Sequence, residues 1–169
     1  LNNADTFLRL LGSAQRSVPF EFITSGVWRN EKLYPLLDEV NKIAGRSGST
    51  VNIRISTDSY HTTQIKTNPQ QRLMDYFVIK NPENLTLSFR GLCDEVDFVK
   101  KYFEQTLPQT KIASKFHKLN CLEGVVTAED FSFPIVFKNR VRPRFDEQGK
   151  VVDIYDYISN LEEKKGCPF

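Results

Sequence analysis

Two short apolar runs constrain this chain more than any other feature. Residues 20–26 (FEFITSG) and 51–61 (VNIRISTDSYH) each begin as a strand and stop abruptly in small polar residues. Between them Leu36, Leu37, Val40, Ile43 and Ala44 recur at helical spacing. Strand, helix, strand in this order is a βαβ unit, and its strands run parallel. In α/β sheets, ligands bind at the carboxyl ends of parallel strands. The hydroxyls, carboxylate and imidazole that end both runs therefore gather at one edge.

The alternation extends on both sides. Asn3 or Asp5 caps a first helix, with Phe7, Leu10, Leu11 and Ala14 on its inward face. Glu21 is the one charge in the first strand, at an edge or facing helix ends. Pro35 fits the first turn of the second helix, where a missing N–H costs little. Residues 45–49 (GRSGS) form a connection that lacks the Gly-Lys-Ser/Thr of a phosphate-binding loop. In the second strand Asn52 and Arg54 alternate with Val51, Ile53 and Ile55. One face is thus partly polar, which suits a lumen or cleft better than a helix-covered face. Asn68 caps a helix that Pro69 opens. Residues 81–84 (NPEN) turn, and 85–89 (LTLSF) form a strand ending in Arg90 and Gly91. A helix follows with Val96, Val99, Tyr102 and Phe103 inward. The order predicts an α/β fold with a parallel sheet.

Beyond residue 110 the pattern changes. Residues 111–124 hold another strand, and 133–138 (FPIVFK) and 140–145 (RVRPRF) read as short strands. Residues 146–149 (DEQG) turn into a hairpin. Asp153 caps a last helix with Ile154, Tyr157, Ile158 and Leu161 inward. The expected organisation is a βα-repeat part over 1–110 and a small α+β extension over 111–169 packed on it.

Composition narrows the function classes. The 169 residues, 40% hydrophobic and 26% charged, suffice for a real core. A net charge of +2 gives no electrostatic case for nucleic acid or a membrane surface. The longest apolar runs are strand-sized, and no signal peptide is visible. Cys93, Cys121 and Cys167 are odd in number, far apart and without metal-ligand spacing. A reducing cytoplasm is the default location, and incidental thiols the default reading, with Cys167 the best candidate for an exception. The start at Leu1 without methionine reads as a fragment or processed chain.

The polar strand ends carry the candidate chemistry. Thr24, Ser25 and Gly26 offer two hydroxyls and a glycine that a ligand can approach closely, although any strand-to-helix turn favours such residues. Ser56 and Asp58 can accept hydrogen bonds from a ribose diol. His61 can hold a substrate or act as acid or base. The competing reading is a helix cap at Asp58 or Ser59, with His61 merely solvated. Arg90 can pair with a substrate carboxylate or phosphate, or serve as an ordinary rim arginine. Arg140, Arg142 and Arg144 alternate along a strand and either face solvent or meet an anion.

In this order the residues resemble the middle of the radical S-adenosylmethionine (radical SAM) enzymes. In that family a strand ending in Thr-Asn-Gly, a helix, and a strand ending near Ser-x-Asp-Ser follow one another. Thr24-Ser25-Gly26 matches the first motif with serine for asparagine, and Ser56, Asp58 and Ser59 match the second. His61 stands where part of the family has histidine. The resemblance covers roughly residues 1–92. It implies part of a partial (β/α)₆ barrel, with Thr24, Ser25, Gly26, Ser56 and Asp58 binding SAM. Ser59 and Arg90 would then face the substrate, with His61 as the catalytic candidate. The Cys-x-x-x-Cys-x-x-Cys loop that holds the family's [4Fe–4S] cluster is not in these residues, nor is Gly-Gly-Glu-Pro.

The resemblance therefore implies the C-terminal portion of a radical SAM enzyme acting on a small-molecule or peptide substrate. The cluster would come from a missing N-terminal part. The alternative is a non-catalytic α/β module that binds a nucleotide or anionic metabolite at the same rim. An ordinary hydrolase is weakest, because no nucleophile elbow is present.

Overall fold

The computed structural model describes residues 4–14, 16–24, 30–65, 68–105 and 112–139. The elements are α1 (Ala4–Gly12), β1 (Pro19–Thr24), α2 (Asn30–Ser47), β2 (Thr50–Ser56), α3 (Ser59–Gln64) and α4 (Pro69–Lys80). They continue with β3 (Leu85–Leu92), a 3₁₀ turn (Cys93–Glu95), α5 (Val96–Glu104), β4 (Ser114–Lys118), β5 (Glu123–Ala128) and β6 (Phe131–Lys138). The mixed α/β class expected from the sequence is what forms. The strands make one six-stranded sheet in the order β1-β2-β3-β6-β5-β4. The first four in that order are parallel, and β5 and β4 run antiparallel. The strands after residue 112 thus continue the sheet that the βα repeat begins.

Strand alternation gives the sheet one apolar and one polar face. Val51, Ile53, Ile55, Leu85, Leu87, Phe89, Phe133, Ile135 and Phe137 are all buried in the core. Helices α2, α4 and α5 pack against the strands, and their Leu37, Val40, Leu73, Met74, Val99 and Phe103 belong to the same core. Phe7 of α1 meets Phe20 and Phe22 of β1, with ring centroids 6.4 and 4.9 Å away. The opposite face carries Asn52 and Arg54, as the alternation in β2 predicts.

Several local expectations are corrected. The inward side of α1 is Phe7, Leu8 and Leu11, while Leu10 is 60% exposed. The helix stops at Gly12, so Ala14 lies past its end. Pro35 is not in the first turn of α2 but inside the helix, which starts at Asn30. Pro35 and Glu31, the residue whose carbonyl loses its partner, are both exposed, a setting in which water limits the cost of the lost bond. That helix also absorbs residues 45–47, and the chain turns at Gly48 with φ 63°.

Asn68 precedes α4, as expected, but through a left-handed backbone (φ 45°) rather than a side-chain cap. Arg90 and Gly91 do not end β3, which runs on to Leu92. The strand β5 was not anticipated, and β6 starts two residues earlier than expected. The expected strand at 140–145, the hairpin, the final helix and Cys167 lie outside the described residues.

Candidate functional site

Two polar regions adjoin at the carboxyl ends of the parallel strands. The first is the connection leaving β2. Asp58 adopts an extended backbone (φ −118°, ψ 166°) and caps α3, its Oδ1 accepting from the His61 backbone N–H at 3.0 Å. The same carboxylate meets His61 Nδ1 at 2.8 and 2.7 Å. The cap of the competing reading is therefore made at Asp58, while the His61 ring is held by the same carboxylate rather than merely solvated. With Nδ1 as donor, the His61 ring keeps Nε2 as an acceptor. A carboxylate offers about four lone-pair sites, so these two donors leave Asp58 capacity for further hydrogen bonds.

Glu95, which sequence reasoning missed, fixes the same connection from the other side. Its carboxylate accepts from the Ser59 N–H at 2.7 Å and from the Ser59 hydroxyl at 2.8 Å. In the sequence Glu95 has only the signal of an acidic residue at a helix start. Its partner is 36 positions away.

Two more bonds hold the strand end in place. The Ser56 carbonyl accepts from Gln70 Nε2 at 2.7 Å, and the Thr57 N–H donates to the Arg90 carbonyl at 2.8 Å. Gln70 is in turn held by the Tyr102 hydroxyl at 2.7 Å. Burial pushes the Tyr102 phenol well above the ordinary tyrosine range and Arg72 below the ordinary arginine value.

The second region is the polar face of the sheet. Ser56 is the register partner of Arg90, and Arg54 of Ser88. Glu21 Oε2 lies 3.1 Å from Arg54 Nη2. Asn52 Nδ2 donates to Glu21 at 3.3 Å and to Ser88 Oγ at 2.9 Å. Glu21 therefore sits on β1, the outer strand of the described sheet, and its partner is the arginine of the neighbouring strand. A cleft of about 270 Å³ opens above these groups, lined also by Arg90, Val136 and Lys138.

The fold thus brings Ser56, Asp58, Ser59, His61 and Arg90 to the ends of β2 and β3. Thr24 ends the adjacent β1. Ser25 and Gly26 lie outside the described residues. Cys93 is half-buried and Cys121 exposed, both as free thiols. Among the described residues no group of three or more His, Cys, Asp or Glu side chains is placed to hold a metal ion. No described helix is long and apolar enough to cross a membrane. Compared with protein-family models, curated proteins and solved structures, the chain finds no match.

Proposed function

We propose that these residues are the C-terminal portion of a radical SAM enzyme, in which β1, β2, β3 and β6 form part of a partial (β/α)₆ barrel. The supporting architecture is four parallel strands with helices against one face and the polar side chains of β2 and β3 on the other. The observation that carries the reading is the end of β2. There Ser56 is the register partner of Arg90, and two residues on the Asp58 carboxylate keeps lone pairs beyond its two donors, an acceptor set suited to a ribose diol with a cation for the substrate.

Thr24, Ser25, Gly26, Ser56 and Asp58 hold SAM in this reading, Ser59 and Arg90 face the substrate, and His61 moves a proton at Nε2. Bound SAM, given an electron that these residues do not supply, would furnish the radical that abstracts a hydrogen atom. The [4Fe–4S] cluster this requires has no ligand motif in these residues. The missing motif is also what favours a second reading, a non-catalytic module that binds a nucleotide or anionic metabolite at the same rim.

Calorimetric titration with SAM and S-adenosylhomocysteine tests the pocket. Asp58→Asn keeps a side chain able to cap α3 but removes the charge. Nucleoside binding is expected to weaken by about 1.5–3 kcal/mol, the worth of a charge-assisted hydrogen bond. Unchanged affinity would remove Asp58 from the pocket. Saturable binding of adenosine nucleotides without SAM would favour the second reading.

A further inference from the structure

The polar face carries a charge imbalance that the nucleoside pocket does not use. Arg54, Arg90 and Lys138 all line the 270 Å³ cleft, and Glu21 is the one carboxylate among its described lining residues. That carboxylate is already occupied by Arg54 at 3.1 Å. Arg90 and Lys138 are exposed and make no ion pair among the described residues. Arg54 Nε is buried and has no hydrogen-bond partner among the described residues. The cleft therefore holds more donors and positive charge than its own acceptors satisfy.

The register arranges the three cations in a row. Arg54 pairs with Ser88, and Arg90 lies two residues further along β3. Arg90 pairs with Val136, and Lys138 lies two residues further along β6. Each step crosses one strand and rises two residues, so all three side chains leave the same face. From strand spacing and rise, the backbone positions of neighbours on such a diagonal are about 8 Å apart, a span that long Arg and Lys side chains can close on one small ligand. Two anionic groups separated by a short carbon chain, or a phosphate and a carboxylate on one small molecule, match that spacing.

We infer that the cleft over β2, β3 and β6 binds a small anionic ligand through Arg90 and Lys138, with Arg54 at the inner end of the row. Its chemistry is carboxylate or phosphate. This assigns the class of substrate and rests on the strand-end site described above, but it does not require SAM. Arg90 supplies a planar fork that can grip an oxyanion with two hydrogen bonds, and Lys138 supplies a movable point charge. Arg54 stays fixed by Glu21, so its role is positional.

The test is calorimetric titration of the 169-residue chain at low ionic strength with inorganic phosphate, with succinate and, separately, with SAM. Saturable binding of phosphate or succinate that weakens as salt is added is expected. A response to phosphate alone assigns a phosphoryl group; a response to succinate alone assigns carboxylates. The double variant Arg90→Gln/Lys138→Gln should lose at least about tenfold in affinity. Lys138→Arg in the native background should keep the affinity within a few-fold. Circular dichroism and the unfolding midpoint show whether the double variant remains folded, as two exposed positions predict.

Failure of both probes to bind saturably, or equal affinity in a folded double variant, overturns the inference. SAM binding without anion binding overturns this inference and leaves the nucleoside pocket standing. Anion binding without SAM binding supports this inference and removes the SAM reading.

Discussion

A Cβ built on Gly91 would sit 2.8 Å from Phe137 Cε1 and 2.9 Å from Cδ1. Gly91 and Phe137 are register partners on β3 and β6, so the ring of one strand lies where the side chain of the other would be. At Gly124, whose register partner is Lys118, a ring also fills that place, Phe116 Cε2 lying 2.7 Å from the corresponding Cβ. Neither glycine marks a strand end. Each is the space into which a neighbouring aromatic folds. Gly91→Ala should therefore destabilise the chain by about 1–3 kcal/mol through overpacking, read as a lower urea midpoint with an unchanged slope. A midpoint at the native value would mean that Phe137 moves aside freely. Read from sequence, the strand ends in Arg90 and Gly91, and the ring that explains a glycine inside β3 lies 46 positions on. The cap at Asp58 was legible for the opposite reason, since its partner His61 is only three residues away. Glu95 was not, because its bond to Ser59 spans two βα units.

At the scale of elements, α4 is the most deeply enclosed helix of the described chain. Gln70, Gln71 and Asp75 are buried along with Leu73, Met74, Tyr76 and Phe77. Its polar side chains are links rather than surface. The Tyr102 hydroxyl of α5 donates to Gln70, and Gln70 donates to the carbonyl that ends β2. Burial raises Tyr102 above its ordinary value of 10.0, and burial with the Asp38 hydrogen bond raises Tyr76 likewise. Both phenols are neutral in the folded and unfolded states well below pH 10.0, so their contribution is complete there. Above it the unfolded chain releases protons that the folded chain keeps, and stability falls until the raised folded values are passed. Tyr102→Phe should cost about 1–3 kcal/mol near neutrality, by leaving Gln70 Oε1 without its donor. It should also give a shallower alkaline loss of stability, measured by urea unfolding from pH 7 to 11. An identical alkaline slope would show that Tyr102 titrates normally. The helix itself was readable from Asn68 and Pro69. Its burial was not, because three polar residues on an inward surface look like a solvent face until their partners on other elements are known.

For the whole molecule, the legible part was the part whose order in sequence is its order in space. The units β1-α2-β2 and β2-α4-β3 follow the chain, and their parallel pairing could be read from alternating periods. The other half could not, because β6 enters between β3 and β5 and so joins strands that are not consecutive. The junction it makes is short. Only Phe89–Leu92 of β3 pair with β6, opposite Ile135–Lys138. Below them Pro134 has no N–H to offer, and the strands part around a cleft of about 420 Å³ lined by Leu85, Leu87, Phe131 and Phe133. Hydrogen exchange should reveal this directly. Amides of β3 that face β6 should exchange faster in residues 85–88 than in 89–92, although 85–88 all pair with β2 on the other side while Gly91 and Leu92 do not. Uniform protection along β3 would show that the ladder is complete.

That short ladder also has a mechanical meaning. It joins a parallel half to an antiparallel half, and Arg90 and Lys138 stand on either side of it. An anion gripped by both side chains would be a rivet across the joint. Force pulling the halves apart would then run through the ligand as well as the backbone, making the sheet stiffer full than empty.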